Sequence, residues 1–308
     1  MVEHHLWGIA QRLGAIVLVD DLPELAGQDQ LLSELRAGSV LRCSVADKSP
    51  HEMIVECVQE SMEMTGLAPG EIDAVVHATG ADIRSVEDDM RVIRALAAAG
   101  LSDVVPMSVS LNGCASGNVA LMAADGLLNR GAENVLVLHA EFVGDGPRLQ
   151  PPAVAVTGDG VACAILSKTT RNKPSFTLID GFARTSAELC DIELTDDNLG
   201  EYIAATLSGL RMTAATLYER YDLKPEDFKY LMPPRFSGTL VKMVALATGF
   251  SDQQIFQANG SDVGHIMTAD GLIALKTAIH HSQIAPGDLL LVFGVGTFSW
   301  SVACLRVD

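Results

Sequence analysis

Basic residues are scarce in this chain. Against 39 Asp and Glu its 308 residues include 21 Lys and Arg, a formal net charge of −18, which repels nucleic-acid phosphates and anionic lipid heads over most of the surface. Neither nucleic acid nor membrane is an expected partner. Long apolar runs are missing too. The longest uncharged one, Leu289 to Leu305, falls short of a spanning helix and contains Gly294 and Gly296, so it reads as two strands about a turn. Residues Met1 to Gly8 include Glu3, His4 and His5 where a secretory signal needs a basic stretch and then an apolar one, so a cytoplasmic location is expected. The six cysteines, Cys43, Cys57, Cys114, Cys163, Cys190 and Cys304, form no C-x-x-C pair, in a chain too large to need disulfides. No metal constellation, dinucleotide fingerprint or phosphate loop is found, so no metal and no cofactor are expected.

What is present is a globular composition, 48% hydrophobic and 19% charged, long enough for two packed halves or one large α/β domain. Ile54, Val55, Val58 and Met62 share a helical stripe, and the apolar run in IDAVVHATG follows as a buried strand. Helices near 88–99 and 116–130 and strands near 104–111 and 134–141 come next, then two strands about Gly158-Asp159-Gly160. After a strand near 175–181 the order recurs, with helices near 197–221, 236–248 and 265–281, a strand near 228–232 and two closing strands. A largely buried sheet covered by helices follows from this alternation. Leu67-Ala68-Pro69-Gly70-Glu71-Ile72 and Leu223-Lys224-Pro225-Glu226-Asp227-Phe228 each precede a strand, which marks an internal duplication, with halves 1–170 and 171–308. Cys114 and His265 each open a helix in their half, so a pseudo-twofold would bring them together.

The segment Ser110-Leu111-Asn112-Gly113-Cys114-Ala115-Ser116-Gly117-Asn118 sets a thiol between a strand end and a helix start, among small residues. Unpaired N–H groups and the macrodipole at such a point stabilise a thiolate, and an adjacent imidazole adds to this. Cys163 and Cys304, inside GVACAIL and SVACL, read instead as packing residues.

NGCASGNVALMAADGLLNRGAENVLVLHAE resembles the nucleophile segment of ketoacyl-ACP synthase III and its relatives. TGDGVACAILS resembles that family's GDG turn and strand, and FGVGTFSWSVACLRV its closing glycine-rich hairpin. The resemblance implies a thiolase fold, an α/β structure whose two pseudo-symmetric halves form a layered αβαβα sandwich. It implies acyl transfer through a thioester on Cys114, an oxyanion hole made by the N–H groups of Cys114 and Gly296, a homodimer, and acyl-CoA or acyl carrier protein as donor. Fatty-acid-like, polyketide or secondary-metabolite synthesis is the implied setting.

Departures from the pattern qualify the chemistry. Where the family has a histidine in a VPHQAN-like segment this chain has Pro234, in Leu231-Met232-Pro233-Pro234-Arg235-Phe236, with Arg235 as an alternative source of charge. Where the family has asparagine in a GNTS-like segment, Gly264-His265-Ile266-Met267 offers His265 as base for Cys114. Proline supplies no donor for the enolate of a decarboxylated malonyl thioester, so transfer of the acyl group to a small-molecule or carrier-bound acceptor is expected in place of carbon–carbon condensation. A decarboxylative synthase and a non-catalytic partner subunit are the competing readings. Of the coenzyme A stretch, resembling DEWI-x-x-R-x-G, Arg36 before Gly38 is retained as the substrate-binding candidate. The acidic segment from Asp82 to Met90 points to an altered acyl pocket or to a solvated helix start.

Overall fold

The computed structural model describes residues 3–80, 85–144, 146–150, 155–190, 198–256 and 263–308. Asp82 lies outside them. In chain order the first half contains β1 (His4–Leu13), β2 (Ala15–Leu18), α1 (Asp29–Ala37), β3 (Arg42–Val45), α2 (Pro50–Thr65), β4 (Ala74–Ala78), α3 (Val86–Ala98), β5 (Pro106–Val109), α4 (Ser116–Asn129), β6 (Asn134–Glu141), β7 (Leu149–Gln150), β8 (Ala155–Val156) and β9 (Gly160–Ser167). The second contains β10 (Ser175–Thr185), α5 (Leu199–Tyr221), β11 (Phe228–Met232), α6 (Gly238–Thr248), α7 (Asp270–His280), β12 (Leu289–Val295) and β13 (Ser299–Val307). Of the two strands expected about the Gly158 turn, the first is only β8, which pairs with β7 outside the main sheet.

Nine strands form one sheet in the order β11-β12-β13-β10-β1-β9-β6-β4-β5. Outward from β1 come an antiparallel β9, an antiparallel β6, then parallel β4 and β5. Outward from β10 come an antiparallel β13, an antiparallel β12 and a parallel β11. Among the described residues a parallel bridge, Leu231 to Ile255, stands where the other half has β5. The repeat is thus a repeat of strand order, and the two half-sheets are joined because β1 pairs directly with β10.

Strand periodicity shows the layers. Val135 and Val137 of β6 and Ala162, Ala164 and Leu166 of β9 enter one core cluster; their neighbours Leu136, Leu138, Val161, Cys163 and Ile165 enter another, with Met53 and Ile54 of α2 and Val92 of α3. In β12 and β13, Leu290, Val292, Ala303 and Leu305 join the first cluster, whereas Leu291, Phe293, Val302 and Cys304 pack with Leu210 of α5 and Val244 of α6. Successive side chains leave opposite faces of a strand, so the inner cluster lies between the half-sheets. It holds Ala120 and Leu121 of α4 with Leu272 and Leu275 of α7. The order αβαβα follows. The small residues after Cys114 let α4 occupy this doubly covered middle layer.

The acidic helix start is a cap. Ser85 accepts from Asp88 N and Asp88 returns to Ser85 N, while Glu87 pairs with Arg94 at 2.9 Å, as expected of carboxylates in a first helical turn.

Packing beside the closing hairpin gives a test. A methyl at Gly209 in α5 would stand 2.3 Å from the ring of Trp300, which is 2% exposed. Helix propensity favours alanine by about 1 kcal/mol, yet overpacking against a fixed indole typically costs about 1–3 kcal/mol. Gly209→Ala is expected to lose about 1–2 kcal/mol in urea unfolding. Gly126→Ala, in α4 with open space around it, should gain about 0.5–1 kcal/mol. Equal effects at both positions would contradict the packing.

Candidate active site

Cys114 lies in a 3-10 turn, Gly113–Ala115, immediately before α4. Two features hold this turn. Gly113, at φ +51°, and Gly296 approach so closely that a Cβ on Gly296 would meet the Asn112 carbonyl at 2.4 Å. Ser301 Oγ donates to the Ala115 carbonyl at 2.8 Å. The closing hairpin therefore clamps the Cys114 turn, and glycine is required at the crossing.

His265 reaches the sulfur from the other half. Its N–H donates to the Val156 carbonyl and its carbonyl accepts from Gly158 N, each at 2.9 Å, so the Gly158-Asp159-Gly160 turn fixes the backbone behind the ring. Nε2 lies 3.1 Å from Cys114 Sγ and Nδ1 lies 2.6 Å from Asp270 Oδ2. Asp270, the first residue of α7, also accepts from Ile266 N at 2.8 Å and Arg235 N at 2.7 Å. Cys114, His265 and Asp270 thus form a buried thiol–imidazole–carboxylate relay. Asp270 is absent from the residues singled out in the sequence. Its signal was an acid at a helix start five residues after the histidine, which looks the same as a surface cap.

The equivalence drawn between Cys114 and His265 needs correction. The counterpart of the turn at Gly113–Ala115 is the turn Met267–Ala269 before α7, so Thr268 stands where Cys114 stands. His265 precedes that turn, on a segment bridged to Thr157. Thr268 is anchored, with its N–H and hydroxyl on Glu141 and its carbonyl 2.6 Å from Nδ1 of His139. Burial drives His139 down to about 4, so it is a neutral brace.

Burial also pulls His265 down, but Asp270 and Cys114 outweigh it and the imidazolium is pushed up from 6.5 to about 10. Burial pushes Asp270 up, and His265 and Arg235 outweigh that, leaving it below its ordinary 3.8.

Pro234 walls a narrow cavity of about 20 Å³ beside Cys114 and also a groove of about 620 Å³ lined in part by Ser39, Val40, Arg235, Phe236 and Lys242. Arg235 directs Nε toward Asp270 Oδ1 at 3.8 Å, so it serves the carboxylate behind the histidine. Arg36 does not line the groove. Its guanidinium is half-exposed and paired with Asp20 at 2.8 Å, because α1 turns it to the surface. Gly296 is not a free oxyanion donor, since its N–H is given to the Ser299 carbonyl at 2.8 Å. Antiparallel ladders alternate bonded and non-bonded pairs, so the pair Val295–Trp300 leaves the Val295 N–H pointing away from β13. The N–H of Cys114, second in its turn, is likewise unpaired by the turn itself. Among the described residues no group of His, Cys, Asp and Glu suits a metal ion, and no helix is long and apolar enough to cross a membrane.

Residues 218–307 match the family model described as 3-oxoacyl-[acyl-carrier-protein (ACP)] synthase III C terminal. The β-ketoacyl-[acyl-carrier-protein] synthase III of Rhizorhabdus wittichii is 22% identical over 272 residues, 82% of this chain and 83% of its own. The 3-oxoacyl-[acyl-carrier-protein] synthase III of Aquifex aeolicus superposes with a TM-score of 0.80 at 19% identity, covering 98% of this chain and 99% of its own. ChlB3, an acyltransferase, superposes with a TM-score of 0.82 at 18% identity, covering 99% and 98%. The fold is the thiolase fold. Within it, residues 218–307 are similar to the C-terminal part of ketoacyl-ACP synthase III.

Replacing Asp270 by Asn removes the charge that holds the imidazolium. Cys114 alkylation by iodoacetamide at neutral pH should slow by about 10- to 100-fold. The stability contributed by the raised His265 is complete below pH 6.5 and lost as the pH rises through about 10. That of the lowered Asp270 is complete above 3.8 and lost as the pH falls through its depressed value. The stability gap between the native chain and Asp270→Asn should therefore be widest between these limits and close on the alkaline side; a gap independent of pH would contradict the ion pair.

Proposed function

We propose that this protein transfers an acyl group from acyl-CoA or an acyl carrier protein, through a thioester on Cys114, to an oxygen or nitrogen nucleophile. The observation that carries this is the relay of Cys114, His265 and Asp270 facing Pro234. His265 Nε2 takes the thiol proton, and Cys114 Sγ attacks the donor carbonyl. The N–H groups of Cys114 and Val295 hold the resulting oxyanion. As the carbonyl re-forms the carrier's carbon–sulfur bond breaks, and the carrier thiolate leaves with the proton from His265. The acceptor then gives its proton to neutral His265 and attacks the thioester, releasing Cys114. The groove beyond Pro234, with Arg235 and Lys242 on its walls, suits the arm of a carrier thioester. A reducing, cytoplasmic setting suits the nucleophilic thiol.

Pro234 weighs against decarboxylative condensation because its side chain cannot stabilise an enolate. Intact-mass measurement of the chain with acyl-CoA and acyl-carrier donors should show one acyl adduct, lost in Cys114→Ala and formed about 10²–10⁴-fold more slowly in His265→Gln. Malonyl thioesters should release no carbon dioxide. Robust decarboxylation would instead establish the condensing reading, and no adduct with any donor would favour a non-catalytic subunit.

A homodimer completes the reading. The edge strand β5 and its flanks expose Val105, Met107 and Leu111, and α3 exposes Val86 and Ile93. An apolar edge of this kind is expected to be covered. Light scattering should give twice the chain mass, falling to one in Met107→Lys; a monomeric native chain would contradict it.

A further inference from the structure

His265 lies outside the strands of the main sheet, so its reach to Cys114 depends on what its backbone leans on. That support is the segment around Thr157. The histidine N–H donates to the Val156 carbonyl and its carbonyl accepts from Gly158 N, which makes a parallel bridge between Thr157 and His265. Successive peptide groups of an extended chain face opposite edges, so the N–H and carbonyl of Thr157 itself point away from the histidine. Arg148 meets both. Its carbonyl accepts from Thr157 N at 2.7 Å, which continues the ladder of β7 and β8 by one pair, and its Nη1 donates to the Thr157 carbonyl at 3.1 Å. The other arm of the guanidinium is also engaged. Nη2 pairs with Asp159 Oδ2 at 2.7 Å, the two side chains being 11% and 4% exposed. That carboxylate accepts in addition from Ala46 N at 2.9 Å and Val143 N at 2.8 Å, so both ends of the segment behind His265 are pinned. Cys43 also feels the guanidinium, but burial pushes its thiol up to about 11 and keeps it neutral.

We infer that Arg148 is a positioning residue for His265: it braces the outer edge of the segment that carries the histidine backbone and so sets the reach of Nε2 to Cys114 Sγ. This rests on Cys114 and His265 being the working pair of the proposed reaction, and on no particular donor or acceptor. Arginine suits the task because its donors form a fixed planar fork, whereas the ammonium of lysine is a point charge. One arm can hold Asp159 while the other holds the Thr157 carbonyl. Precision matters here, since a misplacement of about 1 Å at a reacting group can cost about 10²-fold in rate. The groups that meet the His265 ring are Cys114, Asp270 and the ring of Phe236, and none of them holds its backbone from behind.

Arg148→Lys is the informative variant, because it keeps a positive charge opposite Asp159 and gives up the second arm to Thr157. Arg148→Met combined with Asp159→Asn removes both charges together, so a folded chain is available if the lysine variant unfolds. Ile72→Val, in the outer core cluster, is the control for a small loss of stability alone. On each full chain the alkylation of Cys114 by iodoacetamide at neutral pH is timed by peptide mass, and the His265 ring is titrated by NMR. Asp270 and Cys114 hold the native ring at about 10 against the effect of burial, so a histidine that drifts from them should titrate lower. Both Arg148 variants should slow alkylation by about 3- to 10-fold and bring the His265 titration down by about one pH unit, whereas Ile72→Val should change neither. A folded Arg148 variant with the native alkylation rate and the native His265 titration overturns the inference, as does an equal change in Ile72→Val. Acyl-CoA and acyl-carrier donors are then offered to the native chain. If alkylation and titration move as expected while no donor leaves an acyl group on Cys114, the positioning role stands and the acyl-transfer reading fails.

Discussion

The site depends on one contact, the 3.1 Å approach of an imidazole nitrogen to a sulfur atom in a place closed to bulk water. Burying such a pair is unfavourable unless every remaining charge is met. Here Asp270 meets the imidazole at 2.6 Å. The carboxylate is in turn satisfied by the N–H groups of Ile266 and Arg235 and by the nearby guanidinium. Charge therefore runs from the sulfur to Arg235 without an uncompensated member. Removing any one link leaves its neighbour buried and unpaired, which is the expensive outcome for an ion in low dielectric.

The duplicated fold explains how two distant segments reach this contact. Both inner helices, α4 and α7, begin at the interface of the half-sheets, and each is preceded by a short 3-10 turn. One turn presents Cys114. Its counterpart presents Thr268, which Glu141 and His139 hold as an anchor. The symmetry is thus used asymmetrically. One helix start carries Cys114, and the other supplies a fixed frame from which His265 on one side and Met267 on the other reach its sulfur.

Much of this was legible in the residues. The alternation of helical stripes and apolar runs is a local property, and it gave a largely buried α/β sheet; the layered order came with the family resemblance. The small residues around Cys114 gave the helix start, because only such residues fit a turn crossed by another backbone. Legibility stopped where the answer depends on what lies across a gap. In the sequence Asp270 reads like the half-exposed cap Asp88, an acid in a first helical turn; what sets it apart is its burial, and burial belongs to the packing of α7. The commitment of the Gly296 N–H to Ser299 depends on hairpin register, which moves the expected donor to Val295. Arg36 looked available because its partner, Asp20, is distant along the chain.

On the proposed reading, the exchange of residues around the sulfur fixes the order of events. A site with two neutral donors can hold an enolate while a carbon–carbon bond forms. This one sets one imidazole against the sulfur, strongly charged by the carboxylate behind it, and a proline on the facing wall. The imidazole has one position for a proton on the side of the sulfur. It cannot accept the acceptor's proton until the thiol proton has left with the carrier. The donor must therefore depart before the acceptor is activated, and the thioester on Cys114 has to persist in the interval, shielded by the thioether of Met267 and the hairpin that crosses Gly113.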